Sequence, residues 1–210
     1  MTPTTPTAFA SPTLKPLSFD PASLDGLSEK LIRSHWENNY GGSVKALAVV
    51  KKQLTEALAN QDTPPYIYND LKREHLLRTG SVVLHELYFD NLGGTGQADA
   101  AVRRALADAF GSYDTWESEF RRVGLGLGGG SGWVVLGHNL HLRQLETYWL
   151  WDHMHGAAAT LPLLVMDMYE HSYQMDYGAA AAKYIDAFFR NIRWEAVSAR
   201  LEQARHIAKE

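Results

Sequence analysis

The sequence predicts an α+β fold, and three observations carry that prediction. Helical periodicity fills the first half of the chain. Three short, apolar, β-prone runs follow it, and helical periodicity then returns. The expected architecture is an N-terminal helical hairpin subdomain over residues 17–112. A C-terminal subdomain over residues 113–210 is expected to hold a three-stranded antiparallel sheet flanked by helices. Residues 1–16, rich in Thr, Pro and Ala, read as an extended or disordered arm, because repeated proline fixes φ and removes backbone donors.

The elements follow in order. Ser28 is placed to cap a first helix, with Leu31, Ile32, His35, Trp36 and Asn39 at helical spacing. Gly41-Gly42 is expected to interrupt it. Helical spacing resumes over residues 44–59, with Val44, Leu47, Val50, Leu54 and Leu58 on one face. Residues 62–65, Asp-Thr-Pro-Pro, form a break. A helix is expected over 69–92, carrying Leu71, Leu77, Leu84 and Leu87 and ended by the glycines at 93, 94 and 96. An alanine-rich helix over 98–110 precedes another over 113–124, begun by Ser112 and Asp114 and carrying Trp116 and Phe120. Residues 124–132 form a glycine-rich connector. It lacks the Gly-Lys-Ser/Thr ending and preceding strand of a phosphate loop. Strands are expected over 132–136, 142–151 and 161–166, and helices over 178–189 and 191–206.

Composition narrows the function. The chain has 210 residues, 45% apolar and 21% charged, which suits a packed globular core. It has no cysteine, which excludes disulfides, thiolate metal sites and thiol catalysis. A net charge of −4 with both signs interspersed disfavours a nucleic-acid or anionic-membrane surface. No apolar run reaches the roughly 18–20 residues that span a bilayer. The first residues show no signal-peptide pattern, so a cytoplasmic protein is expected.

Four residues stand out for chemistry: His35 on the first helix, His85 in VVLHELYF, and Asp167 and His171 in LLVMDMYEHSYQMDY. Asp167 follows an apolar run, where an unpaired carboxylate is costly to bury. Three imidazoles and one carboxylate suit iron or manganese, and also zinc. On spacing alone, a zinc hydrolase or a non-haem iron oxygenase fits almost as well. Each histidine taken singly also fits a satisfied core residue. A metal-free interaction domain is the blandest reading.

DMYEHSYQMDY resembles the Asp-x-x-x-His ligand segment of the iron/manganese superoxide dismutases. The resemblance extends over about residues 14–202, through LKPLSFDPASLDGLSEKLIRSH, LHELYFDNLGG, AFGSYDTWESEF, GSGWVVL and KYIDAFFRNIRWEAVSARL. It implies that His35, His85, Asp167 and His171 bind one iron or manganese ion per chain, with iron the preferred of the two. It further implies superoxide as the substrate, dioxygen and hydrogen peroxide as the products, and a homodimer or homotetramer. Trp133 matches an aromatic wall of the family's site. Glu170 matches a residue that reaches His171 of the partner subunit. Trp36 is read as packing or pocket wall.

The resemblance also has gaps. The family usually places His and Tyr four and eight residues after the first ligand, where this chain has Asn39 and Ser43. Gln174 takes the place of an interface tyrosine, and Tyr169 that of a tryptophan. Tyr40, or Tyr88, is the expected substitute for the missing tyrosine. The family's glutamine that bonds metal-bound solvent has no counterpart at Ser81. In WLWDHMHG, His153 is the expected replacement and His155 the runner-up. These changes leave open a member that binds metal but turns over weakly. His75, His138, His141 and His206 are expected on the surface.

Overall fold

The computed structural model describes residues 12–208. Residues 1–11 of the expected arm lie outside that range, and residues 12–17 run without regular structure. The end of the arm is nevertheless anchored. The Lys15 backbone N–H donates to Tyr40 Oη at 3.0 Å, and Trp36 Nε1 donates to the Lys15 carbonyl at 2.9 Å.

Ser28 caps helix α1, Glu29–Ser34, its hydroxyl accepting from the Leu31 N–H at 3.1 Å as its position predicts. The chain does not break at Gly41-Gly42. It passes through one π-helical segment, His35–Tyr40, into α2, Gly41–Ala59. The Gly41 N–H reaches the Trp36 carbonyl five residues back, so the wider turn continues the helix through the glycines. Leu58, expected on the buried face, points to solvent.

Helix α3, Pro65–Asp90, begins four residues before its expected start, because Pro65 occupies the first helical position, where a missing N–H costs nothing. It packs beside α2. Asp99 and Ser112 cap α4, Ala100–Phe110, and α5, Tyr113–Leu127. α5 continues past Gly124, which was expected to open the connector. A Cβ at Gly124 would lie 2.7 Å from Met166 Cε, so this glycine serves close helix–sheet packing rather than a turn.

The sheet has three antiparallel strands: β1, Trp133–Asn139; β2, Gln144–Leu150; and β3, Thr160–Asp167. β1 is central, in the order β2-β1-β3, and is buried along its whole length. That placement buries His138, which was expected on the surface. A four-residue helix α6, Gln174–Tyr177, precedes α7, Ala181–Arg190, and α8, Trp194–Ile207. Trp116, Phe120, Phe189 and Trp194 form an aromatic block in the core. The sheet's β3 edge faces α3, and this packing brings the candidate ligands together.

Candidate metal centre

His35 is the first residue of the π-helical segment. Its buried ring packs against Tyr88 and Phe89, with centroids 5.2 and 4.9 Å away. His85 lies on the buried face of α3. Its Nδ1 is 2.7 Å from the Ser81 carbonyl one turn back, so Nδ1–H donates there and Nε2 carries a free lone pair. Asp167 is the last residue of β3, opposite Trp133 in the β1–β3 register. A 3₁₀ turn, Glu170–Ser172, returns His171 to the Asp167 carboxylate.

The three imidazoles converge on one oxygen. His171, His35 and His85 place their Nε2 atoms 3.1, 3.2 and 3.7 Å from Asp167 Oδ2. All four ligand atoms lie within 4.8 Å of one another. They are close enough to share a single ion. Burial holds both His35 and His85 below the usual imidazole range, His85 at about 3, with the neighbouring His35 as its next cause. Burial would raise Asp167, but the His171 and His35 imidazoles outweigh it and keep the carboxyl ionised.

Hydrogen bonding alone does not satisfy this cluster. His35 Nδ1 and Nε2 and His85 Nε2 are buried without a hydrogen-bond partner. The free lone pair of His85 Nε2 faces a carboxylate oxygen. Neutral nitrogens and an anion gathered in a dry site call for a cation between them. The donor set therefore fits one metal ion.

The surroundings fix the cluster. Asp167 Oδ1 accepts from the Tyr169 N–H at 2.8 Å, and its backbone carbonyl accepts from Tyr184 Oη at 2.6 Å and Ser172 Oγ at 2.9 Å. Tyr184 Oη also lies 3.3 Å from Tyr88 Oη, so Tyr88 is committed inside the core. The sequence offers no local signal for Tyr184, which sits on α7 among core residues. Trp133 Nε1 donates to His153 Nδ1 at 3.0 Å, which leaves the His153 proton on Nε2. Tyr169 stacks between His153 and His171, at 4.7 and 5.2 Å. His153 is thus beside the cluster, its ring 5.9 Å from that of His85. His155 lies outside, exposed against Asp152 and Trp149.

Tyr40 lays its buried ring 6.3 Å from His85, but its hydroxyl donates to Glu86 Oε1 at 3.0 Å. Burial pushes that hydroxyl up to about 12. Glu86, which sequence reasoning passed over, also pairs with Lys15. Ser43 hydrogen-bonds Ser81 at 2.7 Å, next to His85. Asn39 is half-buried, while Glu170 and Gln174 are exposed.

Fold and site together describe an α+β protein with a buried His₃Asp pocket for one metal ion. The relatives make the class specific. Residues 98–200 match the family model for the C-terminal domain of iron/manganese superoxide dismutases. An iron superoxide dismutase of Cupriavidus metallidurans is 50% identical, covering 91% of this chain and 96% of its own length. Another from Aquifex aeolicus is 33% identical, covering 88% of each. A manganese superoxide dismutase of Haloferax volcanii is 29% identical, covering 91% and 96%. The chain belongs to the iron/manganese superoxide dismutase family.

Proposed function

We propose that this protein disproportionates superoxide at one metal ion held by His35, His85, Asp167 and His171. The observation that carries the reading is the convergence of three Nε2 atoms on Asp167 Oδ2, with those of His35 and His85 buried and without a hydrogen-bond partner. A bound iron or manganese ion supplies a one-electron couple, by which one superoxide becomes dioxygen and a second, with two protons, becomes hydrogen peroxide. The chain's residues do the rest. Asp167 brings one negative charge and the imidazoles none, which favours the higher oxidation state. His85 is kept as the Nδ1–H tautomer by the Ser81 carbonyl. Trp133 walls the pocket and fixes His153 with its proton on Nε2, the donor best placed to serve the reaction. Iron is the preferred metal, supported by the iron-named relatives.

The same reading divides the chain near residue 112 and makes it a cytoplasmic antioxidant enzyme, acting as a homodimer or homotetramer on superoxide without nucleic-acid or membrane partners. No helix among the described residues is long and apolar enough to cross a membrane. His171 is the cluster residue open to solvent, with a quarter of its side chain exposed, and Glu170 beside it is exposed. This leaves Glu170 free to bond His171 of the partner subunit, with Gln174 and Asn39 nearby in the family's scheme. Sedimentation equilibrium reading a monomer would remove the paired assembly.

One observation favours a second reading, a metal-binding member with weak turnover. Ser43 is engaged with Ser81, and the Tyr40 hydroxyl is held by Glu86 and Lys15, so neither offers the family's gateway hydroxyl. The iron-oxygenase reading loses its support to the family match. Pulse radiolysis and elemental analysis on one sample decide among these. A rapid rate at one iron or manganese per chain is expected. A background rate at full metal content rejects the dismutase.

A further inference from the structure

The loop that carries His153 rests on α3 at a glycine. Gly80 lies inside α3, five residues before His85, and has ordinary helical backbone geometry. Glycine is a poor helix former, so the helix gains nothing from it there. A Cβ at Gly80 would lie 1.7 Å from the His153 carbonyl oxygen and 2.8 Å from its carbon. Both are backbone atoms, which cannot swing aside as the end of a side chain can. Val83 and Leu84 of α3, with Tyr148 and Leu150 of β2, line a cavity of about 180 Å³ against the same loop. The His153 ring is then aimed by the Trp133 hydrogen bond and the Tyr169 stack.

We propose that Gly80 is a positioning residue: its missing side chain lets the His153 backbone seat on α3, which sets the His153 ring beside the metal ligands. The proposal rests on His153 serving the reaction. A side chain at position 80 would drive the His153 carbonyl back by more than 1 Å to reach an ordinary contact. A misplacement of about 1 Å can cost on the order of 100-fold in rate.

The test is Gly80→Ala in metal-loaded protein, alone and combined with His153→Ala. Gly126→Ala, whose Cβ meets nothing within 4 Å, serves as the control. Gly80→Ala is expected to keep its metal and lose about tenfold or more in rate. Its crystal structure should show the Trp133–His153 hydrogen bond opened. With His153→Ala present, Gly80→Ala should cost the same fall in Tm but no further rate. An unchanged rate, or an equal fractional loss in both backgrounds, overturns the proposal. Should Gly80→Ala fail to fold, a crystal structure of the loaded wild type decides: the His153 carbonyl must lie against Gly80 Cα, and a lifted loop overturns the idea. Should the loaded wild type prove inactive, the dismutase reading fails by itself. The Trp133–His153 separation in Gly80→Ala still decides the positioning role, and an intact bond there overturns it.

Discussion

Asp167 and His138 show how burial sets charge in opposite ways. Asp167 is fully buried yet stays ionised, because the His171 and His35 imidazoles face its carboxylate. His138 sits opposite Leu145 and Leu161 on its neighbouring strands, with Nδ1 unpartnered, and is held neutral. Burial is the main cause, and Arg205 adds to it. Its pKa in the folded chain therefore lies below the ordinary 6.5. As the pH falls through that value, the unfolded chain takes up a proton that the folded chain refuses, and stability drops. Thermal scans of the metal-loaded protein are expected to show Tm falling between pH 7.5 and 5.5, and falling less in His138→Leu. Identical slopes for the two proteins would disprove this assignment.

Among the elements, the joint at Asn91 matters most to the site. Its Oδ1 accepts from the Val165 N–H of β3 at 2.9 Å, and its carbonyl accepts from the Arg193 N–H at 2.8 Å. One residue at the end of α3 thus sets the height of His85 against the strand that ends in Asp167. Asn91→Ala leaves a buried strand N–H unpaired, at a cost of about 1–3 kcal/mol. Urea unfolding is expected to register that loss; a midpoint equal to wild type would show the joint to be dispensable. The caps at Ser28 and Ser112 were legible because capping is local chemistry. The passage through Gly41-Gly42 was not, because helix packing overrides the weak preference of two glycines.

Across the full chain, the four candidate ligands come from a π-helical segment, a long helix, a strand end and a 3₁₀ turn. An ion held there links all four parts, so its binding energy adds to folding energy. Removing metal with a chelator is expected to lower Tm by an amount equivalent to about 4 kcal/mol where free metal exceeds its dissociation constant about a thousandfold. Calorimetry on loaded and stripped protein measures it. Equal Tm values at verified metal contents would show that the cluster closes without an ion.

Residue order was enough to read the α+β class and the three strands, since periodicity is a property of the chain itself, while the four candidate ligands were singled out as ligands only with the help of a family resemblance. The arrangement around the ligands was not readable in that way. His153 was ranked ahead of His155 without sight of their surroundings: Trp133 hydrogen-bonds His153, while His155 is exposed. Spacing does not reveal that Tyr184 braces Asp167, or that Gly80 makes room for a loop more than seventy residues away. Such contacts join distant segments, and they exist only once burial has forced those segments to share one dry space.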